Sequence, residues 1–213
     1  MWSKYQVTLE FTNKLMGGIP KNEDVIKAWL EARKPSEAQY AKRLAAGEVM
    51  TPVETLAEEV AAEVGATSDE EQRAWCGFKS DEKGLYIDGY PAKAHLKDCA
   101  NVLQKLLGIK ALRSKVADRV YVEEDKLYLG KAQPDGYIEH PVHIMTMQGP
   151  RSALKRNDYV EKPVLRFTLR VLDDNVITQE LLESLFEYGS LHGFGAERGL
   201  GYGRYNWNLT KLD

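Results

Sequence analysis

Residues 165–209, LRFTLRVLDDNVITQELLESLFEYGSLHGFGAERGLGYGRYNWNL, hold a strand, a helix, a glycine-rich loop and a second strand in unbroken order. Leu165, Phe167, Leu169 and Val171 alternate with Arg166, Thr168 and Arg170, the period of a strand with one buried face and a basic outer face. Thr178 stands at an N-cap position and Glu180 in the first turn of a helix whose apolar stripe is Leu181, Leu182, Leu185, Phe186 and Tyr188. Beyond the glycines, Tyr205, Trp207 and Leu209 share one face of a strand.

The earlier half of the chain repeats this grammar. Tyr5, Val7, Leu9 and Phe11 alternate with Gln6, Thr8 and Glu10, which predicts a half-buried strand ending near Gly17-Gly18 and Pro20. Asn22 can then cap a helix with Glu23 and Asp24 in its first turn and Val25, Ile26, Trp29 and Leu30 on its buried stripe. Gly84 to Gly89 reads as a short strand and turn, and Pro91 suits the first position of a second helix with Leu96, Cys99, Ala100, Leu103 and Leu106 inside. Lys93, Lys97, Asn101 and Gln104 align on its polar side. Lys110, Arg113, Lys115 and Arg119 follow, opposed by Asp118, and make this the most basic stretch of the chain. Two strand, loop and helix halves separated by glycine turns predict an α+β fold of split β-α-β, ferredoxin-like type, with helices on one face of an antiparallel sheet.

The rest is organised around that core. From Pro35 to about Glu71 the composition turns to Ala and Glu, and Ser68 to Glu71 has capping-box spacing, so 35–74 reads as an acidic helical insertion. Its Glu54, Glu58, Glu59 and Glu63 would repel phosphates and suit solvent or a basic protein partner. Val120 to Leu129 reads as a hairpin about Glu123-Glu124-Asp125-Lys126, and the carboxylate pairs Glu123-Glu124 and Asp173-Asp174 as solvated turn residues. Pro141 to Met147 reads as a strand broken by Gln148-Gly149-Pro150, ahead of a polar run holding Arg151, Lys155 and Arg156.

With 213 residues, 43% hydrophobic and 29% charged, the chain can bury one substantial core, and the expectation is a single domain over 1–213 carrying the insertion. Lys and Arg number 29 against 32 Asp and Glu, a net charge of -3, which excludes a uniformly basic nucleic-acid coat while allowing a local basic groove. Cys76 and Cys99 form no zinc spacing and no disulfide framework, pointing to a reducing compartment. Lys4 and Glu10 interrupt the first residues as a targeting segment, and no apolar run reaches the roughly 18 residues of a membrane span. A cytoplasmic protein without membrane attachment, metal or cofactor is the expectation.

The strongest chemical signal is the loop with glycines at 193, 195, 199, 201 and 203 and arginines at 198 and 204. Glycines let a ligand approach main-chain N–H groups, and guanidinium groups fork onto phosphate oxygens. Neither the dinucleotide nor the Walker fingerprint fits, because those loops lead from a strand into a helix and this one leads from a helix into a strand.

A helix followed by G-x-G-x-x-R-x-x-G-x-G-R and a strand resembles the C-terminal signature of the RAMP superfamily, the repeat-associated RNA-binding proteins of CRISPR systems. Residues 86–97, YIDGYPAKAHLK, are similar to the backbone-subunit pattern I-P-G-S-S-L-K-G-A-L-R, with Ile87, Gly89, Lys93, Leu96 and Lys97 on corresponding positions. The resemblance extends to the opening strand and loosely to the basic segment before residue 165, about half the chain. It implies a ferredoxin-like, RRM-like core that binds single-stranded or guide RNA, assembles along it with other CRISPR-type subunits or with itself, and serves antiviral defence. Lys93 and Lys97 would then meet the RNA backbone, and Arg198 and Arg204 would order the glycine loop or touch phosphate.

The sequence departs from the family where catalysis is concerned. Repeat-processing members use a histidine, and target-cleaving backbone members an aspartate in the loop after the first strand; Thr12 to Gly18 here holds neither. Of His95, His140, His143 and His192, His192 adjoins the loop and is the weak candidate for a general base on a ribose 2′-OH. His140 and His143 flank Pro141-Val142 without a carboxylate cluster to complete a metal shell. Tyr202, Tyr205 and Trp207 could stack on bases or fill the core. The reading is a non-catalytic RNA-binding protein using Lys93, Lys97, Arg113, Lys115, Arg151, Lys155, Arg156, Arg198 and Arg204. Two alternatives stay open: a metal-independent endoribonuclease working through His192 or His143, and a protein-interaction module with the same fold whose acidic insertion engages or inhibits a nucleic-acid complex; a stand-alone or virus-borne relative of the family is a further option.

Overall fold

Alternation in the first strand decides which residues it buries. Tyr5, Val7, Leu9 and Phe11 are buried, while Lys4, Gln6, Thr8 and Glu10 lie on the other face. The computed structural model describes residues 2–146 and 149–212, with the side chains of 144–146 and 151 outside that description. The first half runs β1 (Trp2–Phe11), β2 (Lys14–Met16), β3 (Ile19–Pro20), α1 (Glu23–Glu31), α2 (Glu37–Ala45), α3 (Val53–Val64), β4 (Trp75–Gly77), β5 (Lys79–Asp81), β6 (Gly84–Asp88) and α4 (Tyr90–Leu103). The second runs α5 (Leu112–Arg119), β7 (Val120–Val122), β8 (Lys126–Tyr128), β9 (Gly136–Thr146), β10 (Gly149–Glu161), β11 (Val164–Leu172), α6 (Gln179–His192) and β12 (Tyr205–Leu212).

The chain divides into two compact units, one of residues 2–17, 82–136 and 159–212, the other of residues 18–81 and 137–158. The first unit holds an antiparallel sheet in the order β12-β1-β11-β7, with Tyr5 opposite Leu169, Leu9 opposite Trp207, and Arg170 opposite Tyr121. Two β-α-β passages build it, β1 to α4 to β7 and β11 to α6 to β12, each leaving a strand of the other half between its own two strands. That is the ferredoxin-like topology, and the fold class is α+β. Helices α4 and α6 pack on each other, with α4 also against α5 and β7 and α6 against β12. Val7, Leu9, Leu165, Phe167 and Leu169 of the sheet and Leu96, Cys99, Leu182, Leu185 and Phe186 of the helices are at most 1% exposed. Fully burying each such side chain stabilises the unit by about 1.5–3 kcal/mol. Beside this sheet, β6 pairs antiparallel with β8, and β2 with the end of β10.

The second unit carries α1, α2 and α3. Asn22 caps α1 by accepting from the Val25 N–H, and Ile26 is its one fully buried residue, with Val25, Trp29 and Leu30 half-buried. β4 pairs antiparallel with β3 and parallel with β10, and β9 pairs with β10.

Several local expectations give way to longer-range pairing. Residues 120–129 do not form a hairpin: β7 joins β11 and β8 joins β6, because each three-residue strand completes a different sheet. The polar run around Arg156 is a strand, since its backbone is bound by β4. α4 stops at Leu103, so Leu106 lies beyond the helix and is 81% exposed. Ser68 does not open a capping box; Asp69 caps a single 3-10 turn, and the capping box belongs to Ser36 and Gln39 at the start of α2. Glu63 is ion-paired with Lys79 at 3.1 Å, while Glu54, Glu58 and Glu59 are exposed. No described helix is long and apolar enough to cross a membrane.

Candidate nucleic-acid interface

The glycine-rich loop closes on itself before it can meet a ligand. Phe194 donates its N–H to the Gly203 carbonyl at 2.8 Å, Gly203 donates to the Lys14 carbonyl at 2.9 Å, and the Phe194 ring is buried against Phe11 and His95. Gly203 has φ +76°, and a Cβ there would lie 2.0 Å from the Phe194 oxygen, so no other residue fits. Asn13 ties the far side by donating to the Gly201 carbonyl at 2.8 Å and accepting from the Arg204 N–H at 3.0 Å. Gly193 and Gly203 are buried, Gly201 is half-buried, and Gly195 and Gly199 are exposed. At Gly199 neither φ nor a neighbour within 4 Å demands glycine, which leaves bare backbone on the surface.

Arg198 reaches from this loop to Asp98 of α4 at 3.5 Å, so the loop abuts the helix that carries Lys93 and Lys97. Those lysines are one turn apart and half-buried. Burial, and then the neighbouring Lys97 ammonium, push the Lys93 pKa below the ordinary lysine range. Two cations held together in this way are relieved by an anion. The Lys93 ammonium also lies 4.2 Å from the Tyr121 ring centroid. Among the described residues no carboxylate pairs with Lys97, Arg113, Lys115 or Arg204. By contrast Arg119 is bonded to Asp174 at 2.7 Å, and Arg170 to Glu123 at 2.7 Å. Of the carboxylates read as solvated turn residues, Glu123, Asp173 and Asp174 are exposed, with Asp173 and Asp174 in a turn and Glu123 and Asp174 in ion pairs. Glu124 accepts the Thr168 N–H with both oxygens, at 2.9 and 2.7 Å, where β7 has left β11.

Behind the loop lies a histidine cluster. His95 is 5% exposed, with its Nε2 2.8 Å from the Tyr205 hydroxyl and 3.9 Å from the Cys99 sulfur. A Cβ on Gly189 would lie 2.4 Å from that hydroxyl and 2.6 Å from that nitrogen, so α6 can pass here only as glycine. Burial, reinforced by Arg198 and His192, drops the His95 pKa to about 3; burial pushes Cys99 up to about 12 and raises Tyr205. His192 is half-buried, stacked on Tyr188, and lowered by burial and Arg198. Tyr205 is core, and Trp207 stacks on Phe186 and donates to Glu187, which leaves Tyr202 as the half-buried aromatic of the loop.

The remaining expected cations belong to the second unit. The Arg156 guanidinium lies 4.5 Å from the Trp75 centroid and 4.3 Å from that of Tyr137, and it bonds Glu139. Lys21 lies 4.3 Å from the same tryptophan and pairs with the buried Asp158 at 3.3 Å, and Asp158 accepts the Trp75 indole N–H at 2.6 Å. Arg156 is therefore part of a stack before any ligand arrives. Lys155 is half-buried, and the side chain of Arg151 lies outside the described residues. His143 is bonded to Ser152 at 3.1 Å, and no cluster of three or more His, Cys, Asp or Glu among the described residues is placed to hold a metal.

Sequence reading passes over one group. Trp2, Lys4, Arg170 and Tyr121 meet on the sheet face away from the helices, through the register that sets Lys4 opposite Arg170 and Arg170 opposite Tyr121. The signal available was the basic outer face of β11; Tyr121 was hidden in the supposed hairpin.

No protein-family model matches the chain, and no curated protein matches it. Among solved structures it aligns with a chain of the cryo-EM structure of the Type III-B Cmr-beta bound to cognate target RNA, with TM-score 0.47 and 10% sequence identity. That alignment covers 100% of this chain and spans 61% of the other.

Proposed function

We propose that this protein is a RAMP-like, non-catalytic binder of single-stranded RNA that holds the strand through its phosphates, along α4 and the glycine-rich loop. The observation that carries the reading is the set of unneutralised cations: Lys97, Arg113, Lys115 and Arg204 have no carboxylate partner among the described residues, and Lys93 is held close to Lys97. The Arg198–Asp98 contact brings the loop to the same helix, so phosphates following α4 would reach Gly199 and Arg204 next. Binding of this kind reads charge, with sequence left to base pairing or to assembly partners.

Salt-dependent binding of labelled single-stranded RNA tests it. Affinity falls as salt rises, with a slope of about 0.7 per phosphate neutralised, so Lys93→Ala with Lys97→Ala lowers the slope by about 1.4. An unchanged slope, or no binding at low salt, refutes the reading. Intact RNA on a denaturing gel marks the protein as non-catalytic. One observation favours a second reading, endoribonuclease: His192, a half-buried imidazole whose pKa is lowered by burial and by Arg198, stands at the mouth of the loop. Cleavage that disappears in His192→Ala while binding persists would establish it.

A further inference from the structure

The sheet face opposite the helices carries two large aromatics that the fold leaves uncovered. Trp2 is 46% and Tyr121 44% exposed, their centroids are 5.8 Å apart, and their planes meet at 76°. With Glu123 and Arg170 they line an open concavity of about 390 Å³. Tyr121 is held in place by donating its hydroxyl to the Asp118 carbonyl at 3.1 Å and by the Lys93 ammonium over its ring. A planar group laid on one ring therefore meets the other at a steep angle, and the two rings form a corner with Tyr121 as its anchored side.

The charges around the corner select its occupant. Register places Lys4 directly opposite Arg170, a like-charge pair that is unfavourable by itself. Glu123 bridges them, at 3.2 Å from Lys4 and 2.7 Å from Arg170. Glu123 is one carboxylate against Lys4 and Arg170, and Lys93 is balanced by Asp118, so the corner keeps a single positive surplus. A cationic guest such as a quaternary ammonium or a methylated lysine, the usual tenant of an aromatic corner with one acid, is repelled here. A flat ring attached to an anion is favoured. Outward along the same face follow Gln6, Thr8, Thr168 and Arg166, polar side chains and one more cation, with Glu10 at the far end of β1.

We propose that Trp2 and Tyr121 form a stacking site for one unpaired nucleobase, with Lys4 and Arg170 taking the phosphate attached to it. The site rests on the RNA-binding reading above and deepens it. Lys93 links the two, since the same ammonium that stands in the α4 stripe lies over the Tyr121 ring. A strand that leaves α4 around the β7 edge would hand its next base to the corner, so the protein grips RNA through a base as well as through phosphates.

The test compares a short single-stranded RNA with a strand of the same length whose central nucleotides are abasic, by fluorescence polarisation at fixed salt. Wild type binds the base-bearing strand about tenfold more tightly, the lower part of the range for stacking one base on an aromatic. Trp2→Ala brings that ratio close to one, Trp2→Phe restores most of it, and Lys97→Ala weakens both strands alike. Equal binding of the two strands by wild type, or an unchanged ratio in Trp2→Ala, overturns the stacking site and leaves phosphate binding standing. Failure of wild type to bind either strand overturns both.

Discussion

His95 offers a quantitative handle on the region behind the glycine loop. Its imidazole is buried between α4 and β12, facing the Tyr205 hydroxyl, the Cys99 thiol, His192 and the Arg198 guanidinium, with Asp98 on the neighbouring position of α4. Burial holds its pKa at about 3 in the folded protein, against about 6.5 in the unfolded chain. Above pH 6.5 both states are neutral and the group adds nothing to the pH dependence. As pH falls from 6.5 toward 3 the unfolded chain takes up a proton that the folded chain refuses, so stability drops by up to about 1.4 kcal/mol per pH unit. Between pH 7 and pH 5 the loss amounts to about 2 kcal/mol. His192, lowered in the same direction, adds to it. Urea unfolding of wild type and His95→Gln at pH 7, 6 and 5 measures this. Glutamine cannot titrate there, so its stability difference between pH 7 and 5 is smaller by about 2 kcal/mol, whatever its absolute stability. Parallel loss in the two proteins would refute the account of a buried neutral imidazole.

Two further substitutions separate structural from functional parts of the interface. Gly203→Ala places a Cβ 2.0 Å from the Phe194 oxygen at positive φ and costs more than about 3 kcal/mol, seen as a large fall in Tm or loss of folded protein. Gly199→Ala has open space and ordinary φ, so its stability stays within about 0.5 kcal/mol of wild type while its affinity for single-stranded RNA falls. Glu124→Ala strips the acceptor from the Thr168 N–H and costs about 1–3 kcal/mol; Glu124→Gln, retaining one acceptor oxygen, recovers part of it in thermal unfolding.

Local periodicity made the ferredoxin-like core legible. The alternation in β1 and β11 and the capped stripe of α6 declare themselves within ten or fifteen residues, whereas the equally plain stripe of α1 belongs to the second unit and the first half's core helix is α4. β10 did not, because its own side chains have no apolar period and, besides the adjacent β9, its ladder partners lie far earlier in the chain on β2 and β4. Short strands such as β7 and β8 contain too few residues to name a partner, and with β7 misread Tyr121 could not be joined to Trp2. The candidate site divides in the same way. Lys93 and Lys97 follow from helical spacing, whereas the stack of Arg156 on Trp75 is a tertiary event. The glycines of residues 193–203 were conspicuous, but the reason for Gly203 is the Phe194 carbonyl that the loop folds against, which no local pattern contains.

The position of β1 also dictates when the molecule can fold. Both of its neighbours come from far along the chain, from Glu10 opposite Val164 to Lys4 opposite Leu212. Closing a loop on the order of 200 residues costs about 5 kcal/mol of chain entropy, against about 1 kcal/mol for a four-residue turn. During synthesis Tyr5, Val7, Leu9 and Phe11 therefore wait, exposed and unpaired, until residues 164–212 have emerged. A strand with one apolar face and two open edges is a template for wrong pairing over that interval. Refolding of this protein is thus expected to be slow for its size and to lose yield with rising concentration, and chaperone capture of nascent chains should centre on residues 2–11.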